Sequence, residues 1–114
     1  MKLYGIKNCD TVKKARKWLD ENGVAYEFHD FRKDGLDDAV LARWEDAIGW
    51  ETLINKRGTT WRKLPEEQRE GINAQTARAI MLDNPSIIKR PVVERDSQVS
   101  VGFNEDEWVS RFTR

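Results

Sequence analysis

Cysteine and histidine occur once each in the 114 residues, as Cys9 and His29, and proline only three times. A lone thiol has no internal disulfide partner, and a chain of this length can bury a core without disulfide or metal staples. No metal centre is expected. Net charge is also absent, because 20 Lys and Arg cancel 20 Asp and Glu. No global field therefore draws nucleic acid or an anionic membrane, and neither is expected as a partner. Long apolar runs are missing too, the longest being a few residues and too short to span a bilayer. Without an apolar signal core or a small-residue cleavage site near the start, and with one unpaired cysteine, a reducing cytoplasmic setting is expected. No linker, repeat or low-complexity tract interrupts the chain, so residues 1–114 are read as one domain.

Leu3, Tyr4 and Ile6 predict a short strand. From Asp10 onward Val12, Ala15 and Leu19 recur at helical spacing up to Asn22 and Gly23. Val24 to Phe31 alternates as a strand does, so strand, helix, strand implies a parallel pair with a right-handed crossover. DFRKDGL predicts a turn. A helix capped by Asp37 or Asp38 follows, with Val40, Leu41, Trp44 and Ile48 as its apolar stripe up to Gly49. Then come a helical turn at Glu51 to Ile54, a loop and short helix in NKRGTTWRKL, another at Pro65 to Glu70, and a helix over Asn73 to Leu82 capped by Asn73. Val92 and Val93, a polar turn at Asp96 to Gln98, and Val99 to Phe103 predict a hairpin, and Asn104 caps a last helix with Trp108, Val109 and Phe112. Trp18, Trp44 and Trp108 fall in helical patterns and are expected in the core. Two parallel strands, a block of helices and an antiparallel hairpin with a helix predict a thioredoxin-like α/β fold with a mixed four-stranded sheet.

Cys9 stands where the first strand hands over to the first helix. There a thiol faces unpaired N–H groups and the positive end of the helix dipole, and Lys7, Lys13 and Lys14 add charge, so the thiolate is favoured. Met1 to Trp18 carries six positive side chains (Lys2, Lys7, Lys13, Lys14, Arg16 and Lys17) against Asp10 alone, a local surplus that suits an anionic substrate. A buried structural cysteine is the competing reading. His29 is a weak general-base candidate, standing far along the second strand without a dedicated acidic partner.

The combination of LYGIKNCDTVKKARKWL, KRGTTWRKL and IIKRPVV resembles the ArsC-like family across nearly the whole chain. That family includes glutaredoxin-linked arsenate reductases, Spx-type transcription regulators and the small YffB-type proteins, whose pattern is the nearest. The resemblance implies a thioredoxin-like fold with a helical insertion, here about residues 36–82. It implies that Cys9 is the catalytic residue and that the anion-binding loop around it, Asn8 to Lys13, includes Asp10 and Thr11. It further implies that Arg90 contacts a substrate anion just before a cis-proline, Pro91. Arg57 is the candidate for a second anion-contacting arginine. Lys56 and Arg62 are alternatives for that role, and structural ion pairing is the competing explanation of Arg57.

Three departures from the family pattern matter. Arsenate reductases of this type carry a further arginine where this chain has Gly102, and a hydroxyl near the position of Val12. Spx-type regulators carry a second cysteine three positions after the first, again where Val12 stands, so an internal redox switch is missing. The expected function is a glutathione-dependent thiol oxidoreductase in which Cys9 attacks an oxidised or mixed-disulfide substrate. Glutathione acts as co-substrate, no cofactor is resident, and glutaredoxin is a candidate partner. Glutaredoxin-linked arsenate reduction is the first alternative. A Spx-like protein that docks on RNA polymerase without redox control is the second.

Overall fold

The computed structural model describes residues 1–96 and 98–112. In chain order the elements are β1 (Lys2–Gly5), α1 (Asp10–Glu21), β2 (Glu27–Asp30), α2 (Phe31–Asp34), α3 (Asp38–Ile48), α4 (Trp50–Leu53), α5 (Thr59–Lys63), α6 (Glu66–Glu70), α7 (Ala74–Asp83), a 3₁₀ turn (Pro85–Ile87), β3 (Val92–Arg95), β4 (Gln98–Val101) and α8 (Glu105–Phe112). They fall into two compact units, Met1–Asp34 with Arg90–Arg114, and Gly35–Lys89.

The first unit carries a four-stranded sheet in the order β2-β1-β3-β4. β1 runs parallel to β2, with Tyr4 opposite His29 and Gly5 opposite Asp30, and antiparallel to β3, with Leu3 opposite Val93. β3 and β4 form the expected hairpin. This mixed sheet with its helices is the thioredoxin-like α/β fold. Val12, Ala15, Trp18 and Leu19 of α1 pack with Leu3, Val93 and Trp108 in one core. Trp108 meets Trp18, Phe103 and Phe112 edge-on, at centroid separations of 5.7, 4.7 and 5.2 Å, the geometry that ring quadrupoles favour.

The strands are shorter than alternation suggests, for identifiable reasons. Gly23 takes φ +65 and the Val24 N–H donates to the Leu19 carbonyl at 3.0 Å, so Val24 closes α1 in a Schellman motif instead of opening β2. Phe31 belongs to α2, where a plain turn was expected. Ile6 lies beyond β1 because its carbonyl accepts the Cys9 N–H, at 3.0 Å. In the hairpin turn Asp96 takes φ +50, a left-handed conformation that Asp tolerates; Ser97, also placed in that turn, lies outside the described residues.

The second unit is helical, interrupted by an isolated antiparallel bridge between Ile54 and Ile88. Asp37 caps α3, and Asn73 caps α7 in a reciprocal box with Thr76. Arg78 of α7 grips Glu45 of α3 with two bonds, at 3.1 and 3.0 Å. The unit extends past residue 82 to Lys89, because the Asn55 N–H donates to Ile87 and the Lys89 N–H to Leu53, both at 2.8 Å. Among the described residues no helix is long and apolar enough to cross a membrane.

Candidate active site

β1 stops at Gly5, Lys7 and Asn8 form an exposed turn, and Cys9 sits at the N-cap of α1 with extended backbone, φ −80 and ψ 126. Its carbonyl accepts the Lys13 N–H at 2.9 Å, so the first full turn of the helix starts at the thiol. The turn is clamped from β2. Asp30 is buried, and its Oδ2 accepts the Lys7 N–H at 3.2 Å while its Oδ1 accepts those of Arg32 at 2.8 Å and Lys33 at 3.3 Å. One carboxylate thus joins the loop before the nucleophile to the start of α2. These N–H groups hold the Asp30 carboxyl below its ordinary value, with the Arg32 charge assisting, against the opposing push of burial.

Cys9 is half-buried at the edge of the core. Burial pushes its thiol up. The Val12 N–H, the Arg90 side chain by hydrogen bonding and by charge, and the Thr11 N–H outweigh that push, so the thiol lies below its ordinary value. The sulfur makes no capping hydrogen bond of full geometry. The Thr11 and Val12 amides act on it as partial positive charges at the helix N-terminus. The cation at the sulfur is therefore Arg90; Lys7, Lys13 and Lys14, credited with that part from the sequence, are exposed on the loop and helix. The His29 ring lies 5.1 Å from that of Tyr4.

The fold brings Asn8, Cys9, Asp10, Thr11 and Lys13 together on the loop and first turn of α1, with Arg90 beside them. The Arg90–Pro91 peptide is cis, as the resemblance implies. The Pro91 carbonyl accepts the Gly102 N–H at 2.9 Å. Gly102 takes φ +84, so an arginine there would sit in a conformation that L side chains rarely adopt. Arg57 belongs to the helical unit, exposed on the loop before α5, where its N–H donates to Asn55 Oδ1 at 3.1 Å. Among the described residues it has no ion pair.

Two residues escaped sequence reasoning. Asp30 was readable as the acid preceding FRKD at capping distance, and Gly5 as a glycine inside an apolar strand, a mark of close backbone approach.

A mixed sheet of this order with its one thiol at the start of the first helix defines a single-cysteine protein of the thioredoxin-like class. Within that class the chain belongs to the ArsC family, whose profile matches residues 4–110. It is 46% identical over 110 residues to an uncharacterised protein of Haemophilus influenzae, covering 96% of each chain. Its structure is similar to that of the YffB protein, with a TM-score of 0.90, 50% identity and 96% of each chain covered. An arsenate reductase (ArsC) related protein from Brucella melitensis matches with a TM-score of 0.82 and 50% identity over 99% of this chain and 94% of the other. The global transcriptional regulator Spx of Staphylococcus epidermidis is 30% identical over 114 residues, covering 96% of this chain and 84% of the regulator.

Proposed function

We propose that this protein is a glutathione-dependent thiol oxidoreductase with Cys9 as its nucleophile. The observation that carries the reading is a lowered thiol, held by Arg90 and the α1 amides, in a chain without a second cysteine. On a substrate disulfide with glutathione, the Cys9 thiolate attacks the glutathione sulfur. The old S–S bond breaks, and the substrate leaves as a thiolate that takes up a proton. A second glutathione thiolate then attacks the Cys9–glutathione bond, releasing oxidised glutathione and restoring the Cys9 thiolate. One glutathione is oxidised per substrate thiol released, so no internal resolving thiol is needed. Asn8, Asp10, Thr11 and Lys13 offer polar contacts around the sulfur, Arg90 offers a fork for a carboxylate, and Pro91 and its neighbours present backbone to the bound peptide. Glutaredoxin is the candidate for an alternative electron donor.

Intact-mass measurement after incubation with oxidised glutathione tests the reading. One glutathionyl group should add to the native protein, reverse with reduced glutathione, and be missing from Cys9→Ser. No addition of glutathione, while a small neutral disulfide reacts readily, would exclude glutathione as the partner.

Arsenate reduction is the second reading, favoured by the arginine at the sulfur and by the Brucella relative. Gly102 and Val12 weigh against it, since losing one charged donor to an oxyanion costs about 1.5 to 3 kcal/mol. Robust glutaredoxin-coupled arsenate turnover would select it. The similarity to Spx favours a third reading, a binding protein that docks on RNA polymerase. A stable complex that survives Cys9→Ser, together with a thiol inert to both disulfides, would select that one.

A further inference from the structure

Gly5 ends β1 and is buried, yet it is not among the glycines with positive φ. Space, not backbone conformation, reserves the position. A Cβ there would stand 2.7 Å from Val12 Cγ2, 3.2 Å from Cγ1 and 3.5 Å from Cβ, whereas carbon atoms settle at about 3.5–4.0 Å. Val12 has little freedom to turn away. It is fully buried among Leu3, Ala15, Leu19, Val93 and Trp108, and a β-branched side chain in a helix keeps one strongly preferred χ1. A methyl at residue 5 therefore pushes the first turn of α1 itself, and that turn carries the amides that face Cys9.

We infer that Gly5 is a positioning residue for the nucleophile: its missing side chain lets Val12 seat on β1, which sets the depth at which α1 presents the Thr11 and Val12 N–H groups to the Cys9 sulfur. The inference rests on the proposed thiolate chemistry of Cys9, and its test separates the two. Arg90, the other group at the sulfur, is not altered in any of the variants used.

The experiment is the pH–rate profile of iodoacetamide alkylation for the wild type, Gly5→Ala, Val12→Ala and the double variant, with near-ultraviolet circular dichroism to report folding. Gly5→Ala should move the inflection upward and slow alkylation at neutral pH by about threefold to tenfold, the scale of one weakened bond to a charged acceptor. In the double variant the two Cβ atoms meet at 3.5 Å, an ordinary contact, so its profile should return to that of Val12→Ala. A helix displaced for any other reason would not be rescued by removing the Val12 methyls. A folded Gly5→Ala with the wild-type profile, or a double variant that keeps the upward shift, overturns the inference. Where Gly5→Ala fails to fold, a folded double variant with the Val12→Ala profile supports the clash, and a double variant that also fails overturns it. A wild-type inflection at the ordinary thiol value overturns the thiolate reading and this inference together; a lowered wild-type inflection unmoved by Gly5→Ala overturns this inference alone.

Discussion

At the scale of single residues, the Cys9 thiolate is a contest between burial, which opposes charge, and two kinds of positive partner. Removing one partner tells which matters more. Arg90→Ala takes away both a hydrogen bond and a full charge, so the thiol should titrate higher and alkylation at neutral pH should slow by about threefold to tenfold. The low end of the effect of an opposite charge is appropriate for a half-exposed sulfur. Arg90→Lys should recover part of the rate, because a point charge replaces the planar fork. The measurement is the alkylation rate against pH, and an unchanged inflection in Arg90→Ala would leave the helix amides as the sole source of activation. The nucleophile was legible in the sequence because a cysteine between a strand and a helix has a local signature. Its cation was not. Lys7, Lys13 and Lys14 are neighbours of Cys9 in sequence, while Arg90 comes from more than eighty positions away, and only sheet pairing between β1 and β3 carries that segment to the site.

At the scale of elements, the β1–α1 loop is held by the end of β2. Asp30 needs both carboxylate oxygens, since Oδ2 serves Lys7 and Oδ1 serves Arg32 and Lys33. An amide has only one acceptor oxygen, so Asp30→Asn must abandon either the nucleophile loop or the cap of α2. Asp30→Ala abandons both and should cost about 1–3 kcal/mol near pH 7. The pH dependence has a definite sign. The folded carboxyl is lowered below its unfolded value, so its contribution is fully present above about pH 4 and is lost as pH falls through the folded value. Denaturant midpoints should therefore show a gap between wild type and Asp30→Ala that is wide at pH 7 and narrows below about pH 4. A gap that stays constant with pH would mean that packing, not the carboxylate, is what the substitution removes. Helices were the legible elements: the caps at Asp37, Asn73 and Asn104 all act as written, the last receiving the Glu107 N–H at 3.0 Å. Strand limits were less legible. Residues such as Val24 and Phe31 fit an alternating pattern, yet their backbones serve a helix end and a helical turn, a choice made by hydrogen bonding and not by side-chain polarity.

At the scale of the whole molecule, charge is balanced in total and uneven in sequence. The cations of the first eighteen residues do not all contribute alike. Arg16 stacks on Phe28 at 4.2 Å and bonds Tyr26 Oη at 3.2 Å, and Lys17 pairs with Glu21 at 3.8 Å. Lys13 stands exposed in the turn whose N–H bonds the Cys9 carbonyl, and Lys17 lies one turn further along α1. Oxidised glutathione carries more carboxylates than ammonium groups, so a cationic approach should speed its encounter with the sulfur at low salt. With a screening length of about 10 Å at 0.1 M salt and about 5.4 Å per helical turn, charges one turn apart differ in weight but both act. The rate of glutathionylation should fall as ionic strength rises, while the rate with a small neutral disulfide stays level. Lys13→Glu should lower the low-salt rate with oxidised glutathione by about twofold to fivefold and flatten its salt dependence, with Lys17→Glu a smaller effect in the same direction. Stopped-flow mass or fluorescence measurements over a salt series decide it. Equal salt dependence for the charged and neutral disulfides would show that the surplus of cations solvates α1 and does not steer the substrate, leaving Arg90 and the helix amides to act only once the disulfide has arrived.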